Sequence, residues 1–226
     1  MFRSDAIESL FPEVETAAFE SPEMLPDAPL FPEEQAFIGN AVVGRRAEFA
    51  TGRACARAAI EALGLTAGSI PVGNGRMPDW PEGITAAITH TRREGREYVA
   101  AVAAKTDGSF GIGLDAEVIQ TLKDGVRTMI VTEAEQSEID ALDPGLHNEA
   151  VIRVFSAKEA FYKAQYALTS SWVGFGDMAL TGLSGAATTL VPTGSLAVLK
   201  QLSLPVDYHQ ILSNGLVVSG VTVRRS

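Results

Sequence analysis

The sequence predicts an α+β protein in which helices and strands occur in both halves of the chain. Apolar residues recur at helical spacing in some segments, alternate at strand spacing in others, and are separated by turns rich in glycine and proline. Of the 226 residues, 46% are hydrophobic and 20% are charged, which is typical of a globular protein with a sizeable core. This length fits one large domain or two half-size ones.

Residues 1–34 form an acidic leader that differs in composition from the rest of the chain. They hold nine acidic residues, a single basic residue (Arg3) and five prolines, which interrupt any long element. We expect one or two short helices here, followed by an irregular segment packed over the body of the protein. Because residues 35–226 hold 17 bases and 19 acids, most of the formal net charge of -10 resides in the leader.

A helical pattern covers residues 32–63. It begins at Pro32, has two acids in its first turn, and is stopped by Gly64. Cys55 lies among alanines in this segment, so we interpret it as a small core residue. As the only cysteine, it also excludes an intrachain disulfide and a multi-cysteine metal site.

Arginines in the first half of the chain are candidates for binding an anion. In the predicted helix, Arg46, Arg53 and Arg57 fall within a narrow stripe, and Arg45 lies off its edge. On spacing alone a solvated face is the favoured interpretation, and a phosphate-binding face is the alternative. Arg76, in a glycine-rich turn at residues 73–78, is a further candidate.

Two strands are predicted at residues 84–89 and 98–104, joined through a charged hairpin at residues 92–96. His90 directly follows the first of these strands. A lone histidine at a strand end is more often a structural residue than a ligand, so contact with an anion is the less favoured interpretation.

The strand predicted at residues 112–118 carries two acids on one face. Because side chains alternate along a strand, Asp115 and Glu117 share a face and the apolar residues share the other. A half-buried strand with a wet acidic face explains this pattern, and a site for a hard cation such as Mg²⁺ is the alternative. The Gly111-x-Gly113 pattern lacks the third glycine of a dinucleotide-binding loop, so we reject that use.

Two further helices are predicted at residues 132–142 and 151–168, followed by short strands over residues 178–224. In the second helix Glu159 and Lys163 share one face, and Lys158 lies beside them. One interpretation is a surface ion pair between Glu159 and Lys163, and another is a capping box from Ser156 to Glu159. The third is a functional set, in which a metal-binding carboxylate lies beside phosphate-binding lysines.

The composition disfavours several classes of function. Net acidity argues against nucleic-acid binding, and three histidines at unrelated spacings argue against a histidine-rich zinc site. The longest apolar run, residues 98–104, is too short to span a bilayer. The first residues turn acidic without an apolar stretch, so we expect no signal peptide and a cytoplasmic protein.

Five segments, in this order, resemble the long, monomeric 4'-phosphopantetheinyl transferases of the surfactin-synthetase-activating type, including the actinobacterial and enterobactin-type members. The segments are Arg45-Arg46-Ala47-Glu48-Phe49 with Gly52-Arg53-Ala54-Cys55-Ala56-Arg57; Met77-Pro78-Asp79-Trp80-Pro81-Glu82-Gly83; Ile88-Thr89-His90; Gly113-Leu114-Asp115-Ala116-Glu117; and Phe155-Ser156-Ala157-Lys158-Glu159-Ala160-Phe161-Tyr162-Lys163. The resemblance implies a pseudo-twofold fold of two similar α/β halves, residues 1–109 and 110–226, with coenzyme A bound at their interface.

The resemblance also implies roles for individual residues. Asp115, Glu117 and Glu159 would bind Mg²⁺, or Mn²⁺ in its place, and Glu159 would also be the base. Together with Lys163, Asp115 and Glu159 would be the catalytic residues. The residues implied to bind coenzyme A are Arg45, Arg53, Arg76 and His90 at its phosphates with Thr89 beside them, Lys158 and Lys163 at its pyrophosphate, and Phe155, Tyr162 and Trp172 along its pantetheine arm.

The implied reaction transfers the 4'-phosphopantetheine group of coenzyme A to a serine of an apo acyl or peptidyl carrier protein and releases 3',5'-ADP. The expected partners are therefore coenzyme A and the carrier protein, with neither a nucleic acid nor a membrane, and the expected state is a monomer. Two alternatives stay open: a Mg²⁺-dependent phosphohydrolase acting on coenzyme A or a related nucleotide, and a module that binds such a nucleotide without catalysis.

Overall fold

The computed structural model describes residues 1–93, 95–185, 187–194 and 196–226. The chain forms two compact units, Met1–Gly108 and Ser109–Ser226. Both units contain helices and strands, in agreement with the predicted α+β class. No helix within the described ranges is long and apolar enough to cross a membrane.

The first unit is an antiparallel sheet covered by a long helix. In spatial order its strands are β1 (Phe2–Arg3), β2 (Thr16–Ser21), β4 (Arg96–Lys105) and β3 (Ile84–Arg93), and its helices are α1 (Asp5–Glu8), α2 (Pro32–Ile38) and α3 (Val43–Ala62). Small buried residues, among them Cys55 and Ala59 of α3 and Ala101 and Ala103 of β4, form its core. Their size lets the helix approach the sheet closely.

The first unit confirms one prediction and corrects two. β3 and β4 pair as the predicted antiparallel hairpin, in which Glu94 lies outside the described residues. The leader is not irregular after its first helix, because Ala17 and Ala18 are buried in β2, which pairs with β4. Residues 32–63 form two helices and not the predicted single one. α2 ends before Gly39, a poor helix former, and α3 begins at Val43.

The second unit also pairs a long helix with an antiparallel sheet. Its strands are β5 (Phe110–Val118), β9 (Leu216–Arg225) and β8 (Leu202–Ser213), in that spatial order, with a separate ribbon of β6 (Met178–Thr181) and β7 (Thr189–Pro192); its helices are α4 (Asp124–Ile130), α5 (Glu133–Asp140) and α6 (His147–Thr169). α6 packs on β5 and β9. Of these helices, α4 has no counterpart among the predicted elements.

Two glycines of β5 allow α6 to touch the backbone of the strand. A Cβ atom at Gly111 would lie 2.4 Å from the carbonyl oxygen of Ala164, and one at Gly113 would lie 1.9 Å from that of Ala160. Both distances are far shorter than any non-bonded contact between carbon and oxygen. The helix can therefore lie at this depth only because positions 111 and 113 carry no side chain.

This contact sets the alignment of α6 with β5. Four residues of a helix advance about 6 Å along its axis, and two residues of a strand advance about 6.6 Å. Contacts between α6 and β5 therefore recur at every fourth helix residue and every second strand residue. One step beyond Gly113 and Ala160 the same alignment brings Ser156 to Asp115, and the Ser156 hydroxyl lies 3.3 Å from the Asp115 carbonyl oxygen. The helix is thus aligned with the acidic end of β5.

We expect Gly113→Ala to lower the free energy of unfolding by about 3 kcal/mol, the upper end of the usual range for overpacking, because the added methyl group meets helix backbone. Urea unfolding measures the change. Gly125→Ala in α4 is the matched control, because a Cβ atom there meets open space, and it should be neutral or slightly stabilising. Equal stability of the two variants would contradict the close contact.

The Cys55 thiol is predicted to be unreactive in the folded protein. It is fully buried, and burial raises its pKa from 9.0 to about 12. The thiolate is the reactive form, so Ellman's reagent at pH 8 should label the unfolded protein and leave the native protein unlabelled. Because the thiol has a higher pKa in the folded protein than in the unfolded chain, its contribution to the free energy of unfolding is fully present below pH 9 and is lost as the pH rises toward 12. Cys55→Ala should remove this pH dependence. Native labelling faster than global unfolding would contradict this prediction.

Candidate active site

The contact between α6 and β5 brings an acid and a lysine together. The Asp115 side chain is buried, and Lys163 Nζ donates hydrogen bonds to its Oδ1 atom at 2.8 Å and to the Leu114 carbonyl oxygen at 2.9 Å. Glu159 precedes Lys163 by one helical turn and interacts electrostatically with both charged groups. The three residues predicted to be catalytic are therefore neighbours.

Glu159 has the electrostatic surroundings of a general base. Burial raises the pKa of its carboxyl group, the charge of Asp115 raises it further, and the Lys163 ammonium opposes both effects. A carboxylate with a raised pKa accepts a proton more readily than an ordinary glutamate does. Glu159 is thus suited to take a proton from a hydroxyl group.

The acids of this site match the ligand chemistry of a hard divalent cation. Asp115 and Glu159 approach each other, and Asp115 already binds one cationic group, the Lys163 ammonium. Glu117 lies two residues further along the same face of β5 and is half-buried. Among the described residues, no group of three acidic, histidine or cysteine side chains is close enough together to hold a metal ion. The site of three acids therefore stays a prediction.

Lys158 points into the protein. Its ammonium group donates to Glu135 Oε2 at 2.7 Å and to the carbonyl oxygens of Ile130 and Phe175 at 2.8 Å each, and its side chain is only 2% exposed. These three acceptors use all three of its protons. Burial lowers the pKa of Lys158, and the Glu135 carboxylate opposes that shift. This geometry leaves no proton for a pyrophosphate, although Lys158 also lines the cavity beside Glu159, so the predicted contact stays a prediction.

Glu135 is an important buried residue that our sequence analysis missed. One carboxylate oxygen accepts the Leu180 amide proton, and the other accepts from Lys158 and from both the amide and the hydroxyl group of Thr132. It therefore ties α5 to α6 and to β6. Thr132 and Glu135 have the spacing of a capping box, and the structure contains one at the start of α5. That spacing gives no information about a buried lysine partner.

Aromatic side chains enclose a cavity of about 220 Å³ beside Glu159. Tyr162 and Trp172 pack edge to face with their ring centroids 5.3 Å apart, and Trp172 is 77% exposed. Two of the three aromatic residues predicted to line the pantetheine arm thus line one cavity. Phe155, the third, packs against Phe175, which contributes to the lining in its place.

In the first unit, Arg45 and His90 come together at the surface. The guanidinium of Arg45 lies 3.0 Å from His90 Nε2 and 3.1 Å from the carboxylate of Glu48. Because a guanidinium can only donate, His90 Nε2 is the acceptor in this pair. Both side chains are exposed, so this pair is open to an anion.

The interpretation of the arginine stripe as a solvated face is wrong for two of its members. Arg53 is 5% exposed, donates to the Ile70 carbonyl oxygen at 2.7 Å, and lies 4.2 Å from the centre of the Phe49 ring. Burial lowers its pKa to about 10. Arg57 forms an ion pair with Glu34, which is fully buried. Both arginines hold structure together.

The other predicted residues differ in exposure. Arg46 is exposed and borders a groove of about 640 Å³. Arg76 is exposed, with a left-handed φ of 65°, and Thr89 is buried in β3.

The proposed capping box from Ser156 to Glu159 is wrong, because Ser156 lies in the interior of α6. A plain surface pair of Glu159 with Lys163 is also wrong, since Lys163 binds Asp115 instead.

Two protein-family models match the chain. Residues 33–104 match the 4'-phosphopantetheinyl transferase N-terminal domain. Residues 111–210 match the 4'-phosphopantetheinyl transferase superfamily, and this range contains Asp115, Glu159 and Lys163.

Curated relatives with similar sequences carry the same family name. The chain is 38% identical over 151 residues to the 4'-phosphopantetheinyl transferase PptT of Mycobacterium tuberculosis, an alignment that covers 66% of this chain and 64% of that protein. It is 37% identical over 161 residues to Svp of Streptomyces mobaraensis, covering 69% of this chain and 63% of that protein. It is 35% identical over 178 residues to Npt of Nocardia iowensis, covering 77% and 76%. The chain thus spans a little under two thirds of the first two relatives.

Proposed function

Because the chain belongs to the 4'-phosphopantetheinyl transferase superfamily, we propose that it transfers the 4'-phosphopantetheine group of coenzyme A to a carrier protein. The acceptor is a serine hydroxyl of the apo carrier, and 3',5'-ADP leaves. The observation that carries this proposal is the meeting of Asp115, Glu159 and Lys163 at the contact of α6 with β5. Two acids beside a lysine would provide both a cation site and a base.

Asp115 and Glu159, with Glu117, would hold a divalent cation, for which we propose Mg²⁺. When bound, such a cation supplies neutralisation of the charge that develops on the phosphoryl oxygens. Glu159 would take the proton of the serine hydroxyl, for which its raised pKa suits it.

Lys163 is the lysine that we propose to contact the pyrophosphate. Its ammonium donates to two acceptors, Asp115 Oδ1 and the Leu114 carbonyl oxygen, and a third proton is left for a phosphate oxygen. Lys158 has no such proton, because three acceptors inside the protein use its donors. One lysine of the pair therefore serves the ligand and the other serves the fold.

The remaining phosphate of coenzyme A requires an anion site, and its pantetheine arm requires an apolar channel. Arg45 and His90 form an exposed pair that suits a phosphate. The cavity lined by Tyr162 and Trp172 lies beside Glu159 and suits the uncharged pantetheine arm. We also propose that the two units are related repeats, since each consists of a long helix on an antiparallel sheet.

The decisive experiment incubates the protein with coenzyme A, Mg²⁺ and an apo carrier protein and then weighs the carrier by mass spectrometry. A gain of the mass of phosphopantetheine supports the proposal, and a carrier whose acceptor serine is replaced by alanine is the control. Release of ADP without any carrier would instead indicate a phosphohydrolase. Binding of coenzyme A without product would indicate a non-catalytic module.

A further inference from the structure

A row of polar side chains crosses the sheet of the second unit beneath α6. Asp115 of β5 pairs in register with Ser219 of β9, and Ser219 pairs with Gln210 of β8. Residues paired in this way project from the same face of a sheet, so their side chains lie side by side. Ser156 of α6 reaches this row, because the glycine contact aligns it with Asp115.

Hydrogen bonds connect the row into one chain. Gln210 Nε2 donates to Ser219 Oγ at 2.9 Å. The hydroxyl oxygens of Ser219 and Ser156 are 2.8 Å apart, and Ser156 Oγ lies 3.3 Å from the Asp115 carbonyl oxygen. An amide nitrogen can only donate, and each hydroxyl has one proton. The Ser156 proton is therefore shared between two acceptors, Ser219 Oγ and the Asp115 carbonyl oxygen, and the row ends on the Asp115 carbonyl group.

The opposite end of the row is anchored on α6. The Gln210 side-chain amide accepts a hydrogen bond from Arg153 Nε at 2.8 Å and donates one to the Arg153 carbonyl oxygen at 3.1 Å. α6 therefore holds the row at two points, Arg153 and Ser156, which are three residues apart. β5 cannot slide along the helix without breaking several of these hydrogen bonds.

Packing alone does not explain Ser219. Its neighbours on the same face of β9, Val217 and Val221, are fully buried, and Ser219 is itself 0% exposed. A valine at this position would continue the apolar stripe and would need no partner, whereas a buried hydroxyl is costly unless it is hydrogen-bonded. Ser219, the polar residue that interrupts this apolar stripe, is the residue paired with Asp115.

We infer that Ser156, Ser219 and Gln210 are positioning residues, which fix Asp115 relative to Glu159 and thereby set the affinity of this acid pair for a divalent cation. The inference rests on the proposed function, in which that pair holds Mg²⁺. Groups that orient metal ligands through hydrogen bonds typically change metal affinity by about 10-fold to 100-fold. Since the row acts on the Asp115 backbone, losing it displaces the carboxylate without removing it.

The test is direct binding of Mn²⁺ to the full chain without coenzyme A, followed by electron paramagnetic resonance. Ser156→Ala and Ser219→Ala are each expected to raise the Mn²⁺ Kd about 10-fold. The double variant should raise it by about the same factor, because both changes break one chain. Val221→Ala, on the same strand and face, is the matched control: it should lower the free energy of unfolding and leave the Kd unchanged.

Unchanged Mn²⁺ binding in both alanine variants would show that the row only supports packing, and would overturn the inference. If Ser219→Ala does not fold, Ser219→Thr, which keeps a hydroxyl group, must bind Mn²⁺ like the unaltered protein while Ser156→Ala binds it weakly. Failure of Mn²⁺ to bind the unaltered protein would also overturn the inference. If the variants behave as expected but no carrier is modified, the proposed function fails and the inference stands.

Discussion

Replacing Asp115 with asparagine is expected to lower the rate of carrier modification by about 10²-fold to 10³-fold, the usual effect of removing one electrostatic stabiliser from an active site. The substitution keeps the shape of the side chain and removes its charge. Lys163 then loses the negative charge that it binds at 2.8 Å, and the proposed cation site loses one of its carboxylates. The measurement is the initial rate of mass gain by the carrier at saturating coenzyme A and Mg²⁺.

Asp207→Asn is the matched control for this variant. Asp207 lies on β8 of the same sheet, has a side chain that is 42% exposed, and is 3.9 Å from Arg224. Its loss should change neither the rate nor the free energy of unfolding, since exposed ion pairs contribute little. A rate near that of the unaltered protein in Asp115→Asn would remove Asp115 from the proposed site.

The second large effect is on stability, where Lys158→Met is expected to lower the free energy of unfolding by about 3 kcal/mol. Removing one partner of a buried ion pair leaves an uncompensated charge, at a typical cost of about 3–5 kcal/mol. We expect the lower end of that range, because the Glu135 carboxylate retains the donors of Thr132 and Leu180. Urea unfolding measures the change.

Two further variants are compared with Lys158→Met. Lys200→Met removes an exposed lysine of the same unit and should have little effect. The double variant Lys158→Met/Glu135→Leu should regain part of the stability, since apolar residues can replace a buried pair. An unchanged free energy of unfolding together with a raised KM for coenzyme A would instead show that Lys158 binds the pyrophosphate, as the family resemblance implies.

The acidic face of β5 was largely predictable from the sequence, because alternation along a strand fixes which side chains share a face. Asp115 and Glu117 were placed together by this rule alone. The partner of Asp115 was not predictable from spacing, since Glu159 with Lys163 suggested a pair within the helix. The structure joins Lys163 to an acid 48 residues earlier in the chain, and local periodicity carries no information at that distance.

The orientation of Lys158 shows the same limit. Consecutive helix residues point about 100° apart, so only one of Lys158 and Glu159 can face a given neighbour. Which of them turns inward depends on Glu135, a residue of another helix. Strand β2 was missed for a related reason: its partner β4 is far along the chain, and the local composition of the leader is dominated by acids and prolines.

The bare backbone of β5 at Gly111 and Gly113 has a practical meaning for protein engineering. A library that diversifies these two positions would lose most of its members, because every substituent larger than hydrogen forces α6 away from β5. If the proposed function holds, selection for altered substrate range is better directed at the exposed indole of Trp172, where size and shape can vary without moving Asp115, Glu159 and Lys163.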